Sequence, residues 1–182
     1  MSDRIVAPLT LLRHGESQAP LGCCVGQLDI PLHAAAHDAT RQMAQAWDGP
    51  KPQRIVSSDL LRARQTAQIV AEIFQLPLVF DARLRELSFG EWEGIHWDEI
   101  YKRDPVFMAR WGKEWSTLAP PAGESATDLF ERVGTCRAEL EAGSWVVAHA
   151  GSLAAMCCHH NGEPPERLFD YHFDCAQPVL LH

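Results

Sequence analysis

Arg13 and His14 follow directly on a short apolar run at 9–12, and His149 follows directly on another at 145–148. Ser57 and Arg62 lie at and just beyond a run at 54–57, and Glu86 comes after one at 76–80. Two imidazoles, two guanidiniums and a carboxylate make a set suited to phosphoryl transfer. That reaction needs positive charge on three equatorial oxygens and a nucleophile in line with the leaving group. The planar guanidinium donates paired hydrogen bonds to phosphate and stays charged, so Arg13 and Arg62 suit the first task. A neutral imidazole attacks phosphorus when its other nitrogen is fixed by a hydrogen bond. A carboxylic acid can protonate the departing alkoxide and then take a proton from the hydrolytic water. Where cationic side chains supply the charge, the chemistry calls for no metal and no cofactor.

These groups work only if the fold gathers them. The four runs read as short buried strands, with 179–181 as a closing edge strand. Residues 34–47 are alanine-rich and helical, closed by Pro50 and Pro52. In 60–74, Leu61, Ile69, Val70, Ile73 and Phe74 fall mostly on one helical face, with Ser58 or Asp59 available as the cap. Ser125 and Asp128 form a capping box for a further helix, and another follows His149. This alternation predicts an α/β fold: a three-layer sandwich with a mostly parallel central sheet, helices on both faces, and a single domain over 1–182. Ligands of such sheets gather outside the carboxyl ends of the strands, where Arg13, His14, Ser57, Arg62, Glu86 and His149 are all predicted to meet. The polar, aromatic-rich stretch from about 88 to 124, broken by Pro105, Pro120 and Pro121, reads as a helical lid insert. Arg62 falls in the first turn of its helix, where a cation opposes the helix dipole unless an anion is held there.

The bulk properties narrow the partners. A formal net charge of -8 without a basic tract argues against nucleic acid. No apolar run is long enough to cross a bilayer, so no membrane partner is expected. The first dozen residues lack a basic leader and a small-residue cleavage site, which makes the cytoplasm the expected location. Six cysteines in two adjacent pairs and two singles do not spell a disulfide framework. Cys157-Cys158-His159-His160 lacks the spacing of a zinc site and reads as buried helix.

Five segments, in order and spread over most of the chain, resemble the histidine phosphatase superfamily, which includes the cofactor-dependent phosphoglycerate mutases. They are Leu12-Arg13-His14-Gly15-Glu16-Ser17, Ser57-Ser58-Asp59-Leu60-Leu61-Arg62-Ala63, Leu84-Arg85-Glu86-Leu87-Ser88-Phe89-Gly90-Glu91-Trp92-Glu93-Gly94, Pro121-Ala122-Gly123-Glu124-Ser125 and Val146-Val147-Ala148-His149-Ala150-Gly151. The resemblance implies a metal-independent phosphatase in which His14 is phosphorylated, Glu86 donates the proton, and Arg13, Arg62, His149 and the Ala150 amide bind the phosphoryl group. Glu91, Glu93, Asp98 and Glu99 are then expected as solvated lid residues. Where the family pattern has asparagine, this chain has Pro20, and little chain is left after the last strand to cover the site.

Within the superfamily the chain is most similar to α-ribazole phosphatases, through its length, Phe89-Gly90-Glu91-Trp92-Glu93, and the Trp111 and Trp115 pair. Gln27, Trp92, Trp111 and Trp115 are the expected substrate-pocket residues, since tryptophan stacks well on a flat benzimidazole. The alternative for the same aromatics is a small core of the insert. The expected substrate is a small phosphorylated metabolite, α-ribazole 5'-phosphate in cobalamin nucleotide-loop assembly. A broad-specificity phosphatase, a phosphoglycerate mutase and a silent phospho-ligand-binding module are the competing readings.

Overall fold

The computed structural model describes residues 8–181; residues 1–7 and His182 lie outside them. Strands β1 (Leu9–Arg13), β2 (Arg54–Ser57), β3 (Leu78–Phe80), β4 (Ser144–Ala148) and β5 (Pro178–Leu181) form one sheet in the order β3-β2-β4-β1-β5. Every neighbouring pair is parallel except β5, which runs antiparallel to β1 at one edge. The helices are α1 (Ala34–Ala46), α2 (Leu61–Phe74), α3 (Trp97–Arg103), α4 (Pro105–Glu114), α5 (Ala126–Glu139) and α6 (Ala150–Asn161).

Side chains alternate across a strand, and the sheet uses that alternation to build two cores. Leu11, Val56, Val146 and Ala148 face α5 and α6, packing on Leu129, Val133, Leu153 and Met156. Leu12, Ile55, Trp145 and Val147 face α1 and α2, packing on Ala44, Ala63, Ala67 and Val70. The helices thus lie on both faces, and the three layers expected from the strand and helix pattern are present. Each fully buried aliphatic side chain contributes roughly 1.5–3 kcal/mol, so the central strands hold the two layers firmly together.

Two boundaries differ from expectation for local reasons. β3 begins at Leu78 and not at 76, because the Leu76 amide closes α2 on Ala71 O and Pro77 has no amide to pair. Neither Ser58 nor Asp59 is the N-cap of α2, which starts after Leu60. Asp29 reaches in from a distant loop to accept the Leu61 amide at 2.6 Å, while Asp59 pairs with Arg85. The capping box at the start of α5 forms as expected, Ser125 and Asp128 each accepting the other's amide.

The insert has a small core of its own. Trp92, Ile100 and Cys24 are buried there, with Phe89, Trp97, Phe107 and Trp111 packed around them. Gly90 anchors its start at a positive φ of 56°, pressed so closely on the Pro121 carbonyl that a Cβ has no room.

Candidate active site

Strand register builds the floor of the site. Arg13 lies opposite Ala148 in the β1/β4 ladder, and His14 N continues it by donating to Ala148 O at 3.0 Å. His14 and His149 therefore leave adjacent strands side by side, with ring centroids 5.0 Å apart and planes tilted by 60°. His14 Nδ1 donates to Gly15 O at 2.7 Å, since a carbonyl only accepts. Nε2 accordingly carries the lone pair, and Arg62 Nε donates to it at 3.2 Å. The loop beneath is steadied by Gly15 N donating to Thr66 Oγ1 on α2. Burial above all, with Arg62 and Arg13 adding repulsion, pushes the His14 pKa down to about 3.

His149 is fully buried, and its pKa is driven well below the usual histidine value, first by burial and then by His14, Arg62 and other cations nearby. Its Nε2 meets Ser58 Oγ at 2.9 Å. Two neutral histidines thus share a floor ringed by permanent cations, an arrangement complementary to an anion.

Arg62 sits in the first turn of α2, and the conflict with the helix dipole is met by backbone oxygen. Nη1 donates to Leu28 O and Nη2 to Gly26 O, both at 2.7 Å. Its five N–H groups leave two uncommitted after these bonds and the one to His14. Arg13 is half-buried and donates through Nη1 to Phe173 O at 2.8 Å.

Glu86 closes the other side. Its carboxylate accepts from Gly151 N at 3.0 and 3.3 Å, at the N-terminus of α6, and Oε1 also accepts from Leu87 N at 3.0 Å. The amide that meets the Glu86 carboxylate is therefore Gly151's. A Cβ on Gly151 would run into Glu86 Oε1. The site residues expected from the strand ends, Arg13, His14, Arg62, Glu86 and His149, are thus gathered in one place.

Beside Glu86 opens a cleft of about 430 Å³ lined by Leu87, Phe89, Trp111, Trp115, Leu129 and Phe169, with Gly26, Ala150 and Gly151 at the floor end and Tyr171 and His172 at the mouth. Glu86 is the one carboxylate among its described lining residues, and neither lysine nor arginine is among them. Trp115 packs on Phe169 with centroids 4.3 Å apart, joining the insert to the segment before β5.

Three expectations are corrected here. Trp92 is not on the cleft: it is buried in the insert core, edge-on to Trp111 at 5.1 Å. Gln27 does not line the cleft either; it donates through Nε2 to Glu86 O at 2.9 Å. Glu93 is no solvated lid residue, for its Oε1 accepts the Gln27 and Phe89 amides. Leu168, Phe169, Tyr171 and His172, ahead of β5, also line the cleft. Sequence reasoning missed Ser58, Thr66 and Arg132, whose partners lie 91, 51 and 46 residues away in the chain.

Cys157 and Cys158 are buried in α6, His159 stacks on Phe130, and among the described residues no group of three or more His, Cys, Asp or Glu is placed to hold a metal. No described helix is long and apolar enough to cross a membrane.

The model of the histidine phosphatase superfamily (branch 1) matches residues 9–182. The adenosylcobalamin/alpha-ribazole phosphatase of Escherichia coli is 29% identical over 172 residues, covering 91% of this chain and 85% of that protein. A glucosyl-3-phosphoglycerate phosphatase of Mycobacterium tuberculosis is 35% identical over 162 residues, covering 81% and 72%. The crystal structure of the alpha-ribazole phosphatase from Shigella flexneri superposes with a TM-score of 0.86 at 28% identity, covering 94% of this chain and 88% of that one. The chain belongs to the histidine phosphatase superfamily and is a phosphatase.

Proposed function

We propose that this phosphatase hydrolyses the phosphate monoester of an uncharged, flat aromatic alcohol, with α-ribazole 5'-phosphate as the substrate, through a phosphohistidine on His14. The observation that carries the substrate class is the aromatic cleft beside Glu86, which offers neither lysine nor arginine to a second anionic group. A phosphoglycerate, or a glucoside of one, brings a carboxylate that would meet no lysine or arginine there. A benzimidazole nucleoside brings an uncharged ring whose apolar face suits Trp111, Trp115 and Phe169.

In the first step the His14 Nε2 lone pair attacks phosphorus, the P–O ester bond breaks, and the Glu86 carboxyl passes its proton to the departing alkoxide. Water then attacks phosphorus, the P–N bond to His14 Nε2 breaks, Glu86 takes a proton from the water, and His14 leaves as neutral imidazole with release of phosphate. The hydrogen bond from Nδ1 to Gly15 O holds the ring in the reactive tautomer throughout. Arg62 turns from His14 to a phosphoryl oxygen, joined by Arg13, by His149, and by the amides of Ala150 and Gly151. Because these groups supply the charge, turnover is expected to persist in chelator. The six unpaired thiols agree with a reducing compartment, the cytoplasm.

The test is a kcat/KM panel of α-ribazole 5'-phosphate, 3-phosphoglycerate and glucosyl-3-phosphoglycerate, each with and without chelator. The ribazole ester should lead by about tenfold or more, the worth of one well-filled apolar pocket. A preference for either carboxylate ester would overturn the substrate assignment.

A further inference from the structure

We propose that Arg132, locked by Glu124, is a positioning residue that aims the Glu86 carboxyl at the ester oxygen; this rests on Glu86 being the proton donor. Arg132 lies on α5, outside the lining of the cleft and the histidine floor. Its guanidinium nevertheless reaches the backbone that carries Glu86 twice, donating to Arg83 O at 2.7 Å and to Glu86 O at 2.9 Å. Glu124 grips the same guanidinium from the other side, accepting from Nε at 2.9 Å and from Nη2 at 2.6 Å. Its Oε1 also accepts the Ser88 amide at 2.9 Å. One ion pair therefore fixes the main chain at 83, 86 and 88, straddling the proton donor.

Both side chains are well covered, 21% exposed for Arg132 and 17% for Glu124. Planar, forked bonds of this kind impose direction as well as attraction, which a lysine cannot do. Gln27 gives the Glu86 carbonyl a second bond, so removing Arg132 leaves the segment attached but free to turn. A displacement of about 1 Å at a catalytic group costs on the order of a hundredfold in rate.

A merely structural Arg132 and a positioning Arg132 differ in one readout. Loss of folded enzyme lowers turnover of every substrate alike, whereas a misdirected acid matters only when the leaving group needs a proton. p-Nitrophenyl phosphate releases a stabilised anion, while benzyl phosphate, of similar shape, releases a strongly basic alkoxide. The ratio of their kcat/KM values is the measurement, taken for the wild type, Arg132→Gln, Arg132→Lys, Glu124→Gln, Glu86→Gln and the double variant Glu86→Gln/Arg132→Gln.

Glu86→Gln should raise the ratio by on the order of 10². Each Arg132 variant and Glu124→Gln should raise it about tenfold, and Arg132→Gln should add nothing in the double variant, because it acts through Glu86. An unchanged ratio in the Arg132 and Glu124 variants, with Glu86→Gln responding, would overturn the positioning role alone. A multiplicative further rise in the double variant would do the same. An unchanged ratio in Glu86→Gln would overturn the acid assignment itself and the positioning role with it. Should Arg132→Gln fail to fold, Arg132→Lys and Glu124→Gln decide the matter.

Discussion

The histidine floor and the aromatic cleft touch at Glu86 but are built by different means. The floor is set by strand register: His14, Arg62 and His149 are buried, and their neighbours are backbone carbonyls, a serine and each other. The cleft is set by side chains from three separate segments, 87–89, 111–115 and 168–172, many of them half-exposed. Chemistry that must be held within a fraction of an ångström rests on the sheet, and recognition rests on loops that can vary without disturbing it. Damage to the floor should therefore stop turnover of every ester, and damage to the cleft should alter which ester is taken.

The largest effect is expected at the floor. His14→Ala removes the proposed nucleophile, and kcat should fall by at least about a thousandfold on all substrates, with the circular dichroism of the folded chain retained. Acid-labile phosphate should be trapped on wild-type His14 after rapid quench. Turnover near that of the wild type in His14→Ala would end the phosphohistidine mechanism.

At the seam between the regions, Gly151→Ala separates stability from catalysis. The position is helical, and alanine is favoured over glycine there by roughly 0.5–1 kcal/mol. The added methyl meets the flexible end of Glu86, which can swing aside, and Leu129 Cδ2 at 3.3 Å. The melting temperature should hold or rise, while kcat falls about 10- to 100-fold as the carboxyl is pushed off its site. Equal turnover in the variant would mean that the rest position of Glu86 on the Gly151 amide has no bearing on the reaction.

Trp115→Ala is the corresponding cut in the cleft. It removes the contact with Phe169 that joins the insert to the segment before β5. KM for an aromatic ester should rise about tenfold, with inhibition by inorganic phosphate unchanged because phosphate reaches only the floor. A matching loss of phosphate affinity would show that the two regions are not separable.

The same division explains what the sequence could and could not disclose. Strand ends are legible because apolar runs stop abruptly, so Arg13, His14 and His149 were found together, and Leu11 and Leu12 alternate between cores as strand periodicity demands. Which tryptophan lines the cleft is not legible. Trp111 and Trp115 share a face at helical spacing, but Trp92 lies beneath them, and only the packing of α4 on the 3-10 turn at Gly90–Trp92 decides which is core. Long-range polar contacts were equally hidden: Asp29 capping α2, or Arg132 reaching Glu86, depends on where loops return and leaves no periodic trace.

The smallest effect concerns stability, and it probes the floor through unfolding and not through turnover. His14 has its pKa held at about 3, and His149 is held well below the usual value, each chiefly by burial. In the unfolded chain both titrate near 6.5. Between that value and about 3 the unfolded state binds protons that the folded state refuses, so stability rises with pH across this window and is lost on acidification. Each histidine contributes a slope of up to about 1.4 kcal/mol per pH unit. Asp59 and Asp81, whose pKa values are lowered chiefly by Arg85 and Arg83, add a loss of the same sign only below the ordinary aspartate value of 3.8. Urea unfolding of the wild type and His14→Asn at pH 7.0, 6.0 and 5.0 (values chosen to span about 2 units) isolates the histidines. The variant should show a shallower fall between pH 6 and 5, by roughly one proton's worth. Identical slopes would mean that His14 takes up its proton in the folded state as readily as in the unfolded one, and that the floor is more open to water than its burial indicates.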